Sequence, residues 1–177
     1  MKHKIFISYH HENDFNYRKK YEKLFSEKFD ILDSLSVKPG EIKDVSTEEF
    51  RRQIREKHLK ESTVTVVLIG EDTWRRHHVD YEIYNSLKQT QSNLRSGVLG
   101  IILPSYTTYS QNLYDEKTIP KRLAQNISNG YLDIKFWHGN PEINQQWILK
   151  AFQKRKKITP NNSMPLMKRN WKGDKWQ

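Results

Sequence analysis

The chain has 177 residues, no cysteine and a formal charge of +10 at neutral pH. The missing cysteine excludes disulfides and thiolate metal sites, and no run approaches the roughly 18 apolar residues of a membrane-spanning helix. Eight Lys or Arg against one Asp in residues 154–177 carry +7 of the charge. The basicity is therefore mostly a property of the end of the chain and argues against a nucleic-acid-binding face on the body.

The opening "MKHKIFISYHHEND" reads as neither a secretory leader nor a membrane span, so a cytoplasmic protein is expected. "KIFISY" (4–9) reads as a buried strand. "NDFNYRKKYEKLFSEKF" reads as a helix, with Tyr17, Tyr21, Leu24, Phe25 and Lys28 at helical spacing. "DILDSLSV" predicts a short second strand, and "KPGE" a turn. "STEEFRRQIREKHLKES" has Ser46 with Glu49 three positions on, a capping-box pattern, and Phe50, Ile54 and Leu59 on one face. "TVTVVLI" (63–69) is β-branched and nearly continuous, as in a central strand buried on both faces.

Val79, Ile83 and Leu87 then recur every four residues and predict a third helix. "GVLGIILP" (97–104) reads as a fourth strand. Residues 105–118, rich in Tyr, Ser and Thr, read as a long loop. "IPKRLAQNISNG" predicts a short helix ended by Gly130. "LDIKFW" is a fifth strand. "NPEINQQWILKAFQKRKK" is a last helix with Pro141 near its start and Trp147, Ile148, Ala151 and Phe152 on its apolar face. The division expected is one domain over 1–157 and a basic tail over 158–177, either flexible or docking, with Trp171 and Trp176 as candidate contacts to a neighbouring subunit.

This alternation predicts an α/β, flavodoxin-like fold: a five-stranded parallel sheet of order 2-1-3-4-5 with helices on both faces. In such sheets the ligand crevice lies beyond the carboxyl ends of strands 1 and 3, where the order reverses. Strand 1 ends in "SYHHEND" and strand 3 in "GEDTWRRHHVDYE". Those two segments hold His10, His11, His77 and His78, and also Glu12, Asp14, Asp80 and Glu82. Glu82 lies about 100° around the helix from the Val79/Ile83/Leu87 stripe, at the edge of the core face. A carboxylate sheltered there has a raised pKa or binds a sugar diol. The same spacing also suits a solvated glutamate paired with Arg75 or Arg76. Adjacent histidines point different ways, which argues against a metal site, and no HExxH is present. Trp74 suits packing or the capping of a planar base. No P-loop, GxGxxG or GxSxG motif occurs.

"KIFISYHHEND", "STVTVVLIGEDTWRRHHVDYEI", "GVLGIILP" and "IPKRLAQNISNGY" together resemble the TIR-like family, in the bacterial branch that includes ThsB of Thoeris antiphage systems. The resemblance runs from about residue 3 to residue 153 and leaves the last 24 residues uncovered. It implies a flavodoxin-like fold and cleavage of the nicotinamide–ribose bond of NAD, as a glycohydrolase or ADP-ribosyl cyclase. NAD is then the substrate, and no separate cofactor is implied. The product is a nucleotide signal, such as a cyclic ADP-ribose, that acts on a separate effector protein. Self-assembly into a homo-oligomer and a phage-derived activator are implied as triggers, and no membrane. The catalytic glutamate of the family falls on Glu82. The loops that line its pocket fall on Ser8, Tyr9 and His10 and on Asp33 and Ser34. Trp74, Arg75 and His78 complete the candidate substrate-binding set. Many TIR enzymes carry Trp four residues before the glutamate, where this chain has His78.

The chemistry suits a carboxylate. Nicotinamide leaves as a neutral molecule, positive charge builds on the ribose, and a fixed anion stabilises that charge more in the transition state than in the ground state. On this reading Arg75 or Arg76 is available to meet phosphates. Two other readings stay open: a non-catalytic TIR-like adaptor acting by self-association, and a metal-dependent nuclease built on the histidine pairs and the basic tail.

Overall fold

The computed structural model describes residues 2–31, 59, 61–90 and 94–176. Asp33 and Ser34, the rest of the expected second strand, the turn at 38–40 and nearly all of the expected helix over 46–62 lie outside them.

In chain order the elements are β1 (Lys4–Ser8), α1 (Phe15–Phe25), β2 (Asp30–Ile31), β3 (Val64–Ile69), α2 (His77–Leu87), β4 (Gly97–Ile102), α3 (Lys121–Ile127), β5 (Asp133–Phe136) and α4 (Pro141–Lys157). A 3₁₀ turn over Thr73–Arg75 precedes α2, and two more, Tyr109–Gln111 and Glu116–Thr118, break up the long loop after β4. The strands are parallel and follow the order β2-β1-β3-β4-β5. Four of them carry the body of the sheet, and β2 adds two residues at the β1 edge. The arrangement is an α/β fold and roughly flavodoxin-like.

Every residue of β3 and β4 is buried. Side chains alternate across a strand, and this splits the core in two. Ile5, Ile7, Val64, Val66, Leu68, Leu99 and Ile101 face Tyr21 and Phe25 of α1 and Ile148 and Ala151 of α4. Val67, Ile69, Val98 and Ile102 face Val79, Ile83 and Leu87 of α2 and Leu123 and Ala124 of α3. Both faces are therefore covered by helices, and the continuous apolar runs of the central strands follow from that. Leu24 departs from the expected stripe: it is 41 % exposed, and the core face of α1 is carried by Tyr21 and Phe25 instead.

Capping is ordinary at the start of α4 and just past the end of α3. Asn140 accepts from the amides of Glu142 and Ile143 at the start of α4, with Pro141 in the first turn. Gly130, at φ 77°, takes the left-handed turn just after α3 that a side chain would resist.

Beyond α4 the chain turns back over α2 and α3 of its own body. The Asn161 amide donates to Asn126 Oδ1 at 2.7 Å, and Asn126 Nδ2 donates to Asn161 O at 2.8 Å. Further on, Trp176 Nε1 donates to Ile119 O at 2.9 Å, and Lys175 pairs with Asp115. Trp176 packs on the α2/α3 side of the core, whereas Trp171 stays 40 % exposed. Among the described residues, no helix is long and apolar enough to cross a membrane.

Candidate functional site

Pairing of β1 with β3 sets Ser8, the end of β1, beside Val67, two residues before β3 ends at Ile69, and the loops that follow meet. Ser8, Tyr9 and His10 leave β1 buried, and α2 crosses the same end of the sheet. The result is a direct contact: the Ser8 hydroxyl donates to Glu82 Oε2 at 2.5 Å. Glu82 is only 3 % exposed. Helical geometry places it at the edge of the core face, and the loop after β1 closes over that edge. Among the described residues no ion pair joins Glu82 to Arg75 or Arg76. The solvated-glutamate alternative does not hold, because the side chain turns inward to Ser8.

Burial pushes the Glu82 carboxyl up to about 8, and the Ser8 hydroxyl opposes that rise. The carboxyl is therefore mostly protonated at pH 7. One turn earlier, His78 Nε2 donates to Tyr9 O at 3.2 Å. Its ring lies 4.6 Å from that of His11, which in turn lies 4.7 Å from the Tyr9 ring. Burial, with the neighbouring imidazoles adding to it, drops His11 to about 4 and His78 to about 3. Both are neutral at physiological pH. They form an uncharged aromatic wall next to the carboxyl.

His10 is drawn the other way. Arg76 Nε contacts its Nε2, and Arg76 Nη2 stands 3.6 Å from Glu12 Oε2. Burial and the guanidinium lower the His10 pKa. Arg75 pairs with Asp72 at 3.3 Å and its guanidinium lies 5.0 Å from the Trp74 ring centroid. Each arginine thus has an acidic partner, Arg75 in Asp72 and Arg76 in Glu12. Trp74 is buried, and with Arg75 it lines a 340 Å³ cavity whose other walls include Tyr106, Asp115 and Lys175. It also lines an apolar 280 Å³ cavity with Met164, Trp171 and Trp176. Ser8, Tyr9, His10, His11, His78 and Glu82 thus form one cluster, while Trp74 and Arg75 face the loop after β4 and the C-terminal segment.

Asp14 ties the rim together. It accepts from Thr73 Oγ1 at 3.2 Å and from Ser105 Oγ at 3.0 Å, and so joins the loops after β1, β3 and β4. Burial raises its pKa against these hydrogen bonds. Gly70, which follows the last residue of β3, leaves room for this carboxyl: a Cβ there would lie 2.4 Å from Asp14 Oδ1. The sequence placed Asp14 at the crevice without revealing this role, because its partners are 59 and 91 positions away. A second missed pair is Asp80 with Arg122, bound through Nε at 2.9 Å and Nη2 at 3.2 Å, both side chains buried. No signal for it lies in the sequence, since Arg122 follows Lys121 and reads as one of two surface cations at the start of α3.

Among the described residues, no group of three or more His, Asp or Glu is arranged to hold a metal ion. His11 and His78 meet as tilted rings, and His77 and His78 edge to face.

A comparison with curated proteins returned no match. A comparison with family models matched residues 6–108 to the Thoeris protein ThsB, TIR-like domain. That span runs from β1 through β4 and includes the Ser8–Glu82 contact and the whole histidine wall, and on it the chain belongs to the TIR-like domain family of the Thoeris protein ThsB.

Proposed function

We propose that the protein is an NAD-cleaving TIR-like enzyme of antiphage defence, with Glu82 as the catalytic carboxylate. The observation that carries this reading is a carboxyl group buried at the switch point of a parallel sheet, held by Ser8, with neutral rings beside it. A cationic nicotinamide riboside suits such a place. Its pyridinium charge draws the proton off Glu82, and the resulting carboxylate lies where positive charge develops on the ribose as the C–N bond breaks. Nicotinamide leaves neutral, so no general acid is required. The ADP-ribosyl cation is then captured by water or by an internal hydroxyl, whose proton passes to the Glu82 carboxylate, and this gives ADP-ribose or a cyclic nucleotide.

Tyr9, His11 and His78 offer ring faces to the nicotinamide end of the substrate, and Ser8 orients the carboxyl. Asp33 and Ser34 are proposed to line the same pocket. A role for Trp74 and Arg75 at the far end of the dinucleotide requires the substrate to reach past the Asp14 rim. Assembly into a homo-oligomer and a phage-derived activator are proposed as triggers, and a separate effector protein as the reader of the product.

The test is incubation of purified protein with NAD, with and without extract from phage-infected cells. Free nicotinamide is quantified and the adenine-containing products are identified by mass spectrometry. Release of nicotinamide with an ADP-ribose-derived product supports the proposal. A folded protein that leaves NAD intact under both conditions contradicts it.

A further inference from the structure

The segment after α4 binds α2 along much of its length. Asn162 Nδ2 donates to Tyr84 O at 3.0 Å, and the Met167 amide donates to Asp80 Oδ2 at 2.9 Å. Asn170 Oδ1 accepts from the His77 amide at 3.0 Å and faces His77 Nδ1 at 2.8 Å. The Trp171 amide donates to Arg75 O at 2.8 Å. These contacts run antiparallel to the helix, from its last turns to the residue before its cap.

The helix lacks a cap of its own. Arg76 occupies the cap position in an extended conformation, and its side chain makes no capping hydrogen bond. The first amides of a helix have no partner within it, and an asparagine oxygen is among the best acceptors for them. Here that asparagine comes from 93 positions downstream. In the middle of the same segment, Arg122 Nη1 donates to Asn162 Oδ1 at 2.9 Å and to Met164 O at 3.0 Å, and Nη2 reaches Pro165 O at 3.3 Å. Asp80 uses two of the guanidinium nitrogens, and the C-terminal segment supplies the remaining acceptors. A buried ion pair is stable only when its leftover donors are satisfied, so docking of this segment is part of the α2–α3 packing.

We propose that residues 161–171 are a strap that positions the Glu82 helix, with Asn170 as the positioning residue for its first turn. The inference rests on the reading of Glu82 as the reacting carboxylate. The first turn of α2 holds His78, whose contacts with Tyr9 and His11 wall the site one turn before Glu82. An uncapped first turn frays. His78 then leaves the wall, water reaches Glu82, and the carboxyl loses both its burial and its fixed direction toward Ser8.

The test uses the full-length protein with carbon-labelled glutamate side chains, as wild type, Asn170→Ala and Asn170→Asp. The carboxyl titration of Glu82 is followed by NMR, beside amide exchange in residues 77–80. The Ser8 hydroxyl from β1 contacts Glu82, and His78, one turn earlier on the same helix, packs on His11 from the loop after β1; both imidazoles are neutral in the wild type. The titration therefore reports on solvent access. The strap predicts that Asn170→Ala lowers the Glu82 midpoint by about one unit or more and speeds exchange in the first turn. Asn170→Asp, which keeps an acceptor at the helix start, restores both. Nicotinamide release falls about tenfold in the alanine variant and recovers in the aspartate variant. An alanine variant with wild-type titration and exchange overturns the strap, and so does an equal shift in both variants. If the wild type releases no nicotinamide, the catalytic reading fails, while the titration still decides the strap.

Discussion

Ser8 and Glu82, 74 positions apart, meet through one hydrogen bond of 2.5 Å where β1 ends and α2 crosses it. This contact links the two segments that the sheet order brings together. It also fixes the proton affinity of the carboxyl, since burial raises it and the Ser8 hydroxyl restrains it. Ser8→Ala removes the restraint. The Glu82 titration then moves further up, and kcat/KM at pH 7 falls about 10- to 100-fold with little change in fold. Steady-state nicotinamide release across pH checks this, and an unchanged pH profile contradicts it.

The raised Glu82 pKa has a consequence for stability. The folded protein holds this proton up to about pH 8, whereas an unfolded glutamate releases it near 4.5. Between those limits the native state binds more protons than the unfolded state, so rising pH destabilises it. The cost is absent below about pH 4.5 and complete above about pH 8. Glu82→Gln removes a cost of proton uptake on folding on the order of 3 kcal/mol near pH 7. The variant is therefore expected to melt higher than wild type at pH 7 to 8 and at nearly the same temperature at pH 4.5. Thermal melts across that range provide the measurement.

Activity has the opposite dependence. If the carboxylate is the active form, kcat/KM rises with pH and levels off above about 8, the value for the free protein. At saturating NAD the bound pyridinium favours the anion, so the limb of kcat lies at lower pH. His11 and His78 stay neutral through this range and add no limb of their own.

Asp80 and Arg122 form a fully buried pair. Arg122→Ala leaves Asp80 buried without its cation, and also uncouples the C-terminal segment; about 3–5 kcal/mol of stability is lost. The double variant Asp80→Ala/Arg122→Ala loses less than the two single losses added, because the second change removes the stranded charge. Denaturant unfolding of the four proteins measures the coupling, and strict additivity contradicts it.

Gly70→Ala drives a methyl group into the Asp14 carboxyl. The carboxyl must give up Thr73 or Ser105, and the three loops it joins separate. A loss of about 1–3 kcal/mol is expected. Asp14→Asn in the same background eases the charge but not the clash, so it does not restore stability. Chemical denaturation of both variants tests this.

Much of the fold was legible because burial on both faces leaves a one-dimensional trace. Val64–Ile69, apart from Thr65, and Gly97–Ile102 are apolar for that reason, and Val79, Ile83 and Leu87 mark the buried face of α2. Leu24 misled because a leucine at helical spacing fits the pattern whether or not a partner covers it. Glu82 was legible as a candidate but not as a buried group: helical angle gives direction, and only the loop after β1 supplies the cover. Asp14 with Ser105, Asp80 with Arg122 and His77 with Asn170 left no local signal at all. Each is a polar pair joined by tertiary packing across tens of residues. The C-terminal segment was opaque for the same reason, since it docks through single asparagines and backbone groups and has no repeating face.

The central claim is that Glu82 breaks the nicotinamide–ribose bond. The most direct measurement is nicotinamide release from NAD by wild type and Glu82→Gln, at matched concentration and oligomeric mass, under conditions that activate the wild type. The account predicts release by the wild type and a fall of at least about a thousandfold in a variant that is as stable or more so. Equal release by both proteins would contradict it and remove Glu82 from the chemistry.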